Sequence, residues 1–95
     1  MKKFVAILKE KRVGELSSPL LYRHVDHLRN LTHEGKLQLC GPFRDSGQAI
    51  QILICNDYEE AVLLVENDPF IKDGYYAAYE LNELVEANEA NNWLI

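Results

Sequence analysis

The sequence predicts an α+β domain whose elements run strand, helix, strand, strand, helix, strand. Three observations carry this reading. Short apolar runs rich in strand-forming residues open the chain, recur in its middle and return near its end. Two longer stretches instead repeat their apolar residues every three to four positions, the helical period. Serine, aspartate, proline and glycine mark the junctions between them. At 95 residues the chain suits one domain over residues 1–95, with a single core.

Lys3 to Lys9 is a nearly continuous apolar run and reads as the first strand, followed by a polar link through Glu15. Ser17 and Ser18 offer N-caps, Pro19 suits a first helical turn, and apolar spacing runs from Leu20 to Leu31 before Gly35 stops the helix. Lys36–Phe43 and Gln48–Cys55 are strands bracketing Arg44-Asp45-Ser46-Gly47, a composition suited to a hairpin loop. Asn56 or Asp57 caps a second helix, with Glu59 or Glu60 at the matching third position and Ala61, Val62, Leu64 and Val65 facing inward; Pro69 ends it. Tyr75 to Leu81, or slightly beyond, is the last strand. Residues 83–95 form a tail, rich in Asn and Glu, that closes on Trp93-Leu94-Ile95. This order is the ferredoxin-like pattern of two split βαβ units, a four-stranded antiparallel sheet with two helices on one face.

Two helices cover only one face of such a sheet. Yet Phe4-Val5-Ala6-Ile7-Leu8 and Ile50-Gln51-Ile52-Leu53-Ile54 barely alternate, as strands do when both faces are buried. The open face is therefore expected to meet a second copy of the chain, giving a homodimer. Trp93 is expected to dock, across that dimer or on its own chain.

Ten Lys and Arg against fifteen Asp and Glu give a net charge of −5, the wrong sign for binding nucleic acid through counterion release. An apolar content of 47% with 26% charged residues is that of a folded soluble domain. The basic start Met1-Lys2-Lys3 is followed by too short an apolar run for a signal peptide, and no run suits a membrane span. A cytoplasmic location is the expectation. Counting back from the hairpin pairs Cys40 with a residue near Ile52, out of register for a bridge to Cys55, so both cysteines read as reduced packing residues.

His24 is the anomaly. At 100° per residue, Leu20, Leu28 and Leu31 fall within roughly 40° of its direction and Leu21 within roughly 60°. A histidine on that stripe needs a hydrogen-bond partner or loses solvation on the order of 1–3 kcal/mol. Asp68, in Asn67-Asp68-Pro69-Phe70, is the best candidate: a carboxylate at a helix C-terminus faces the wrong end of the dipole, and Pro69 forces Asp68 into an extended conformation that turns it away. The plainer alternatives are a satisfied core histidine and an aspartate that only caps a turn. His27, three residues on, permits a metal by spacing, but further ligands are not evident, and it reads as a partly exposed neighbour of the pocket; His33 reads as solvated. Phe43 and Phe70 are candidate apolar walls, and Arg23 or Arg44 a candidate anchor for an anionic group. No nucleophile elbow, phosphate loop or dinucleotide fingerprint occurs, and acid–base chemistry needs no cofactor.

Taken together, His24, Leu28, Leu31, Gly35-Lys36-Leu37 and Gly41-Pro42-Phe43, then Glu60-Ala61, Asp68-Pro69-Phe70 and Gly74, resemble the pattern of the YciI-like family between Tyr22 and Tyr79. The resemblance implies a dimeric ferredoxin-like α+β barrel similar to that of muconolactone isomerases, and an active site built from His24 and Asp68. It also implies kinship with a dehydrochlorinase acting on a chlorinated hydroxyhydroquinone, although substrate does not transfer with fold. Val25 replaces the Leu usual after the histidine, His27 stands where an aromatic or Leu is common, and the Asn-rich tail lies outside the match.

Two functions follow. One is a small enzyme with His24 as general acid or base and Asp68 fixing its tautomer, catalysing elimination or isomerisation of a small cyclic or carbonyl compound. The other is a non-catalytic dimeric module that binds a small molecule in the same pocket.

Overall fold

The computed structural model describes residues 1–95. Its elements are β1 (Lys2–Lys11), α1 (Ser18–His33), β2 (Leu37–Pro42), β3 (Ala49–Cys55), α2 (Tyr58–Glu66), α3 (Pro69–Lys72) and β4 (Tyr76–Leu84), then a short 3-10 segment over Glu89–Leu94. All strand pairs are antiparallel, in the order β2-β3-β1-β4, so the two split βαβ units interlock and β1 and β3 lie at the centre. The sheet is open in the single chain: β2 and β4 are its edges.

The core follows the strand period. Phe4, Ala6 and Leu8 of β1 and Gln51, Leu53 and Cys55 of β3 are buried beneath the helices, against Leu20 and Leu31 of α1 and Ala61 and Val65 of α2. Each fully buried Phe or Leu contributes about 1.5–3 kcal/mol, which is what holds the helices on this face. The intervening Val5, Ile7, Ile50, Ile52 and Ile54 point the other way and stay partly exposed.

Helix termini follow local chemistry. The Ser17 hydroxyl accepts from the Leu20 N–H, with Pro19 in the first turn. Asp57 accepts from the Glu60 N–H at 2.8 Å while the Glu60 carboxylate accepts from the Asn56 N–H at 2.9 Å. That N–H and the Lys36 ammonium hold the Glu60 carboxyl below its ordinary range.

Three expectations need correction. Pro69 does not end α2, which stops at Glu66 with Asn67 as its C-cap; it opens α3, because a residue without an N–H and with preset φ suits a first helical turn. Asp68 is thus an N-cap, accepting from the Phe70 N–H at 2.9 Å, and the unfavourable dipole argued for it does not apply. Cys40 pairs with Gln51, next to Ile52 as the count back from the hairpin places it, but it is exposed on the edge strand β2 and is not the packing residue expected, whereas Cys55 is buried. In the single chain Trp93 is 58% exposed, with positive φ at Asn92, Trp93 and Leu94.

Candidate active site

The two residues that sequence analysis singles out meet. His24 projects from the inner side of α1, and Asp68 stands in the link between α2 and α3, placed there by the extended backbone that Pro69 imposes (φ −65°, ψ 124°). His24 Nδ1 lies 2.7 Å from Asp68 Oδ1. Phe70 stacks flat on the imidazole, with ring centroids 3.6 Å apart and planes 5° from parallel. One short segment, Asp68-Pro69-Phe70, therefore fixes both the direction and the plane of the ring.

Asp68 is fully buried, and its carboxylate is engaged on both oxygens. Oδ1 accepts from His24 and from the Phe70 N–H, and Oδ2 accepts from Gln51 Nε2 at 2.7 Å. Three donors around one buried carboxylate hold it stationary. With Asp68 Oδ1 as the acceptor, the ring nitrogen that donates is Nδ1, the tautomer that leaves the lone pair on Nε2. Gln51 is a residue that sequence analysis passed over. It shared the signal that exposed His24, a polar side chain in step with the buried Leu53 and Cys55 of its strand. Its Oε1 is buried and accepts no hydrogen bond from the chain.

A mainly hydrophobic cavity of about 400 Å³ opens beside His24, between α1 and the sheet. Leu21, Val25 and Leu28 line it from α1, Cys40 and Pro42 from β2, and Gln51 from β3. Phe70, Tyr75, Tyr76 and Lys11 complete the wall at one end. Burial, and secondarily Tyr75 and the Asp68 charge, pushes the Tyr76 phenol up; burial and the same carboxylate push the Cys40 thiol up. Both groups are therefore neutral hydrogen-bonding groups at pH 7, and Cys40 is not poised as a thiolate nucleophile.

The remaining sequence-based candidates lie elsewhere. Arg23, 100° round the helix from His24, pairs with Asp73 at 2.5 Å and lines a separate polar cleft with Arg12 and Glu15. Phe43 and Arg44 are exposed at the hairpin and line neither hollow, since the edge strand has already turned away there. His27 is not a pocket neighbour; its Nε2–H donates to the Leu64 carbonyl at 3.1 Å and ties α1 to α2. His33 is exposed. No group of three or more His, Cys, Asp and Glu side chains is placed to hold a metal ion.

The YCII-related domain family matches residues 3–85, which span every strand and both long helices. The chain belongs to that family. Among solved structures, it is similar to the 5-chloro-2-hydroxyhydroquinone dehydrochlorinase of Burkholderia phenoliruptrix AC1100 in complex with 2,5-dihydroxybenzoquinone, with 25% identity and a TM-score of 0.63 over 94% of this chain and 99% of that one. No curated protein matches the chain. No helix is long and apolar enough to cross a membrane.

Proposed function

We propose that this YCII-family chain is an acid–base enzyme that eliminates from, or isomerises, a small cyclic compound, with His24 as the proton-transfer group and Asp68 as its orienting carboxylate. The observation that carries this reading is the pairing itself: an imidazole beside a 400 Å³ apolar cavity, held at Nδ1 by a carboxylate, as a general base requires. Nε2 takes a proton from the bound ring; the electron pair left behind forms a new double bond, and a leaving group such as chloride departs with its bonding pair. The Asp68 charge stabilises the imidazolium that results, and His24 returns the proton to water or to the product. The similar solved structure, a dehydrochlorinase complexed with a dihydroxyquinone, supports an elimination on an oxygenated six-membered ring.

The active form in this reading is a homodimer. Val5, Ile7, Ile50 and Ile52 form a continuous apolar patch on the helix-free face, with Leu39 of the edge strand 47% exposed beside them. Such a patch is covered most economically by a second copy of itself.

The test is a turnover screen over halogenated hydroquinones, halogenated phenols and small lactones, read as halide release or ring absorbance. A rate abolished by His24→Gln supports the reading. A rate that the substitution leaves intact refutes it and makes the His24–Asp68 pair a structural contact of a binding module.

A further inference from the structure

Lys11 lines the cavity when a regular strand would turn it away. Side chains alternate along β1, so Lys11 should share the helix-free face with Ile7 and Lys9, opposite Leu8. Instead both Leu8 and Lys11 line the cavity on the helix side. The cause is at Glu10, whose φ of 57° is left-handed and rare for a residue with a side chain. Pairing with β4 continues across this point, Lys9 opposite Ala78 and Lys11 opposite Tyr76, so the strand is kinked without being broken. Strained residues of this kind persist where the surroundings hold them, and irregularities beside a site re-aim a side chain.

The Lys11 stem then runs over the hairpin, its Cε 3.9 Å from where a side chain at Gly47 would begin. Its ammonium forms no ion pair, whereas Lys3, Lys9 and Lys36 each hold a glutamate. No carboxylate lines the cavity, and Asp68 behind it is fully engaged by its three donors.

We infer that Lys11 is the anion anchor of this cavity and that its ligands are small rings bearing a negatively charged oxygen, phenolates or enolates, bound with that oxygen toward Lys11 and a ring edge toward His24. The inference rests on the proposed function only in taking the cavity as the substrate site. A cation without a counterion at the edge of a largely apolar hollow discriminates by charge, because it attracts an anion and gains nothing from an uncharged ring. It also leaves the proton-transfer role to His24.

The experiment measures binding, by calorimetry at low salt, of 2,5-dihydroxybenzoquinone, whose acidic enols are ionised at neutral pH, and of its uncharged dimethyl ether. The anion should bind on the order of tenfold more tightly than the ether, and Lys11→Met should remove about that factor for the anion alone. Lys11→Arg should retain it, and added salt should narrow the gap in the wild-type protein. Lys11 is exposed at the end of its strand, so these variants keep the fold. An anion affinity unchanged in Lys11→Met, an ether that binds as well as the anion, or no anion binding at millimolar concentration would each overturn the inference. Binding requires no turnover, so a failure here is distinct from a His24-independent rate.

Discussion

Asp68→Asn separates the chemistry of the site from its architecture. The fold uses Asp68 in two ways, as N-cap of α3 and as the buried acceptor between α1 and β3. Asparagine caps nearly as well as aspartate, and its oxygen can stay toward His24 and the Phe70 N–H. The amide nitrogen then meets Gln51 Nε2, donor against donor, until the Gln51 amide rotates and presents its unpartnered Oε1. One hydrogen bond is thereby rebuilt, while two charge-assisted ones become neutral and the Gln51 nitrogen takes over as the unmatched group. The net loss of stability should be about 1–3 kcal/mol. Turnover suffers more, because an amide cannot balance the imidazolium formed in the transition state: a fall of about 10²–10⁴ in kcat is expected, roughly 3–5 kcal/mol of barrier. Urea unfolding gives the first number and halide release under saturating substrate the second. A variant that folds and turns over at the wild-type rate would refute the acid–base reading. One that fails to fold would show that Asp68 is mainly structural.

Gln51→Glu places a second carboxyl 2.7 Å from Asp68, where one of the two must keep a proton. The introduced group has its pKa raised, so its contribution is full in acid and lost as pH rises; melting temperatures should approach wild type near pH 4 and fall below it above neutrality, and parallel profiles would exclude a close carboxyl pair. The Tyr79 phenol is pushed up to about 12 by burial and by its hydrogen bond to Glu66. Because that value lies above the ordinary one near 10, the stability it brings is intact below pH 10 and lost toward pH 12, and Tyr79→Phe should delete the latest-titrating step in the phenolate absorbance curve. Ile52→Glu puts a charge in the middle of the helix-free apolar face; sedimentation should report twice the 10.9 kDa chain mass for wild type and a single chain for the variant, whereas a wild-type monomer would remove the dimer from the proposal.

Much of the fold was legible in the sequence because it is written in local terms. Strand runs, the Ser17-Pro19 and Asp57-Glu60 caps and the Gly35 stop depend on neighbours a few residues away, and both helices form where that chemistry puts them. The pairing of His24 with Asp68 was legible for a related reason: a polar group on an apolar stripe must find a partner, and few candidates were in reach. What the tertiary structure alone decided concerns direction and contact across the sheet. The sequence leaves Lys11 in a polar link after the first strand, and only the extension of β1 through the left-handed turn at Glu10 brings it to the cavity. Gln51 looked like one polar break in an apolar run until β3 was laid beside Asp68. Arg23 and Arg44 carried the right charge, but one is claimed by Asp73 and the other lies on an exposed hairpin. The physical reason is the range of the forces involved. Backbone preferences and amphipathic period act within a few residues and survive in the one-dimensional string, whereas hydrogen bonds and ion pairs act over a few ångströms between residues as distant in sequence as His24 and Asp68, so which of them form depends on how the chain has packed.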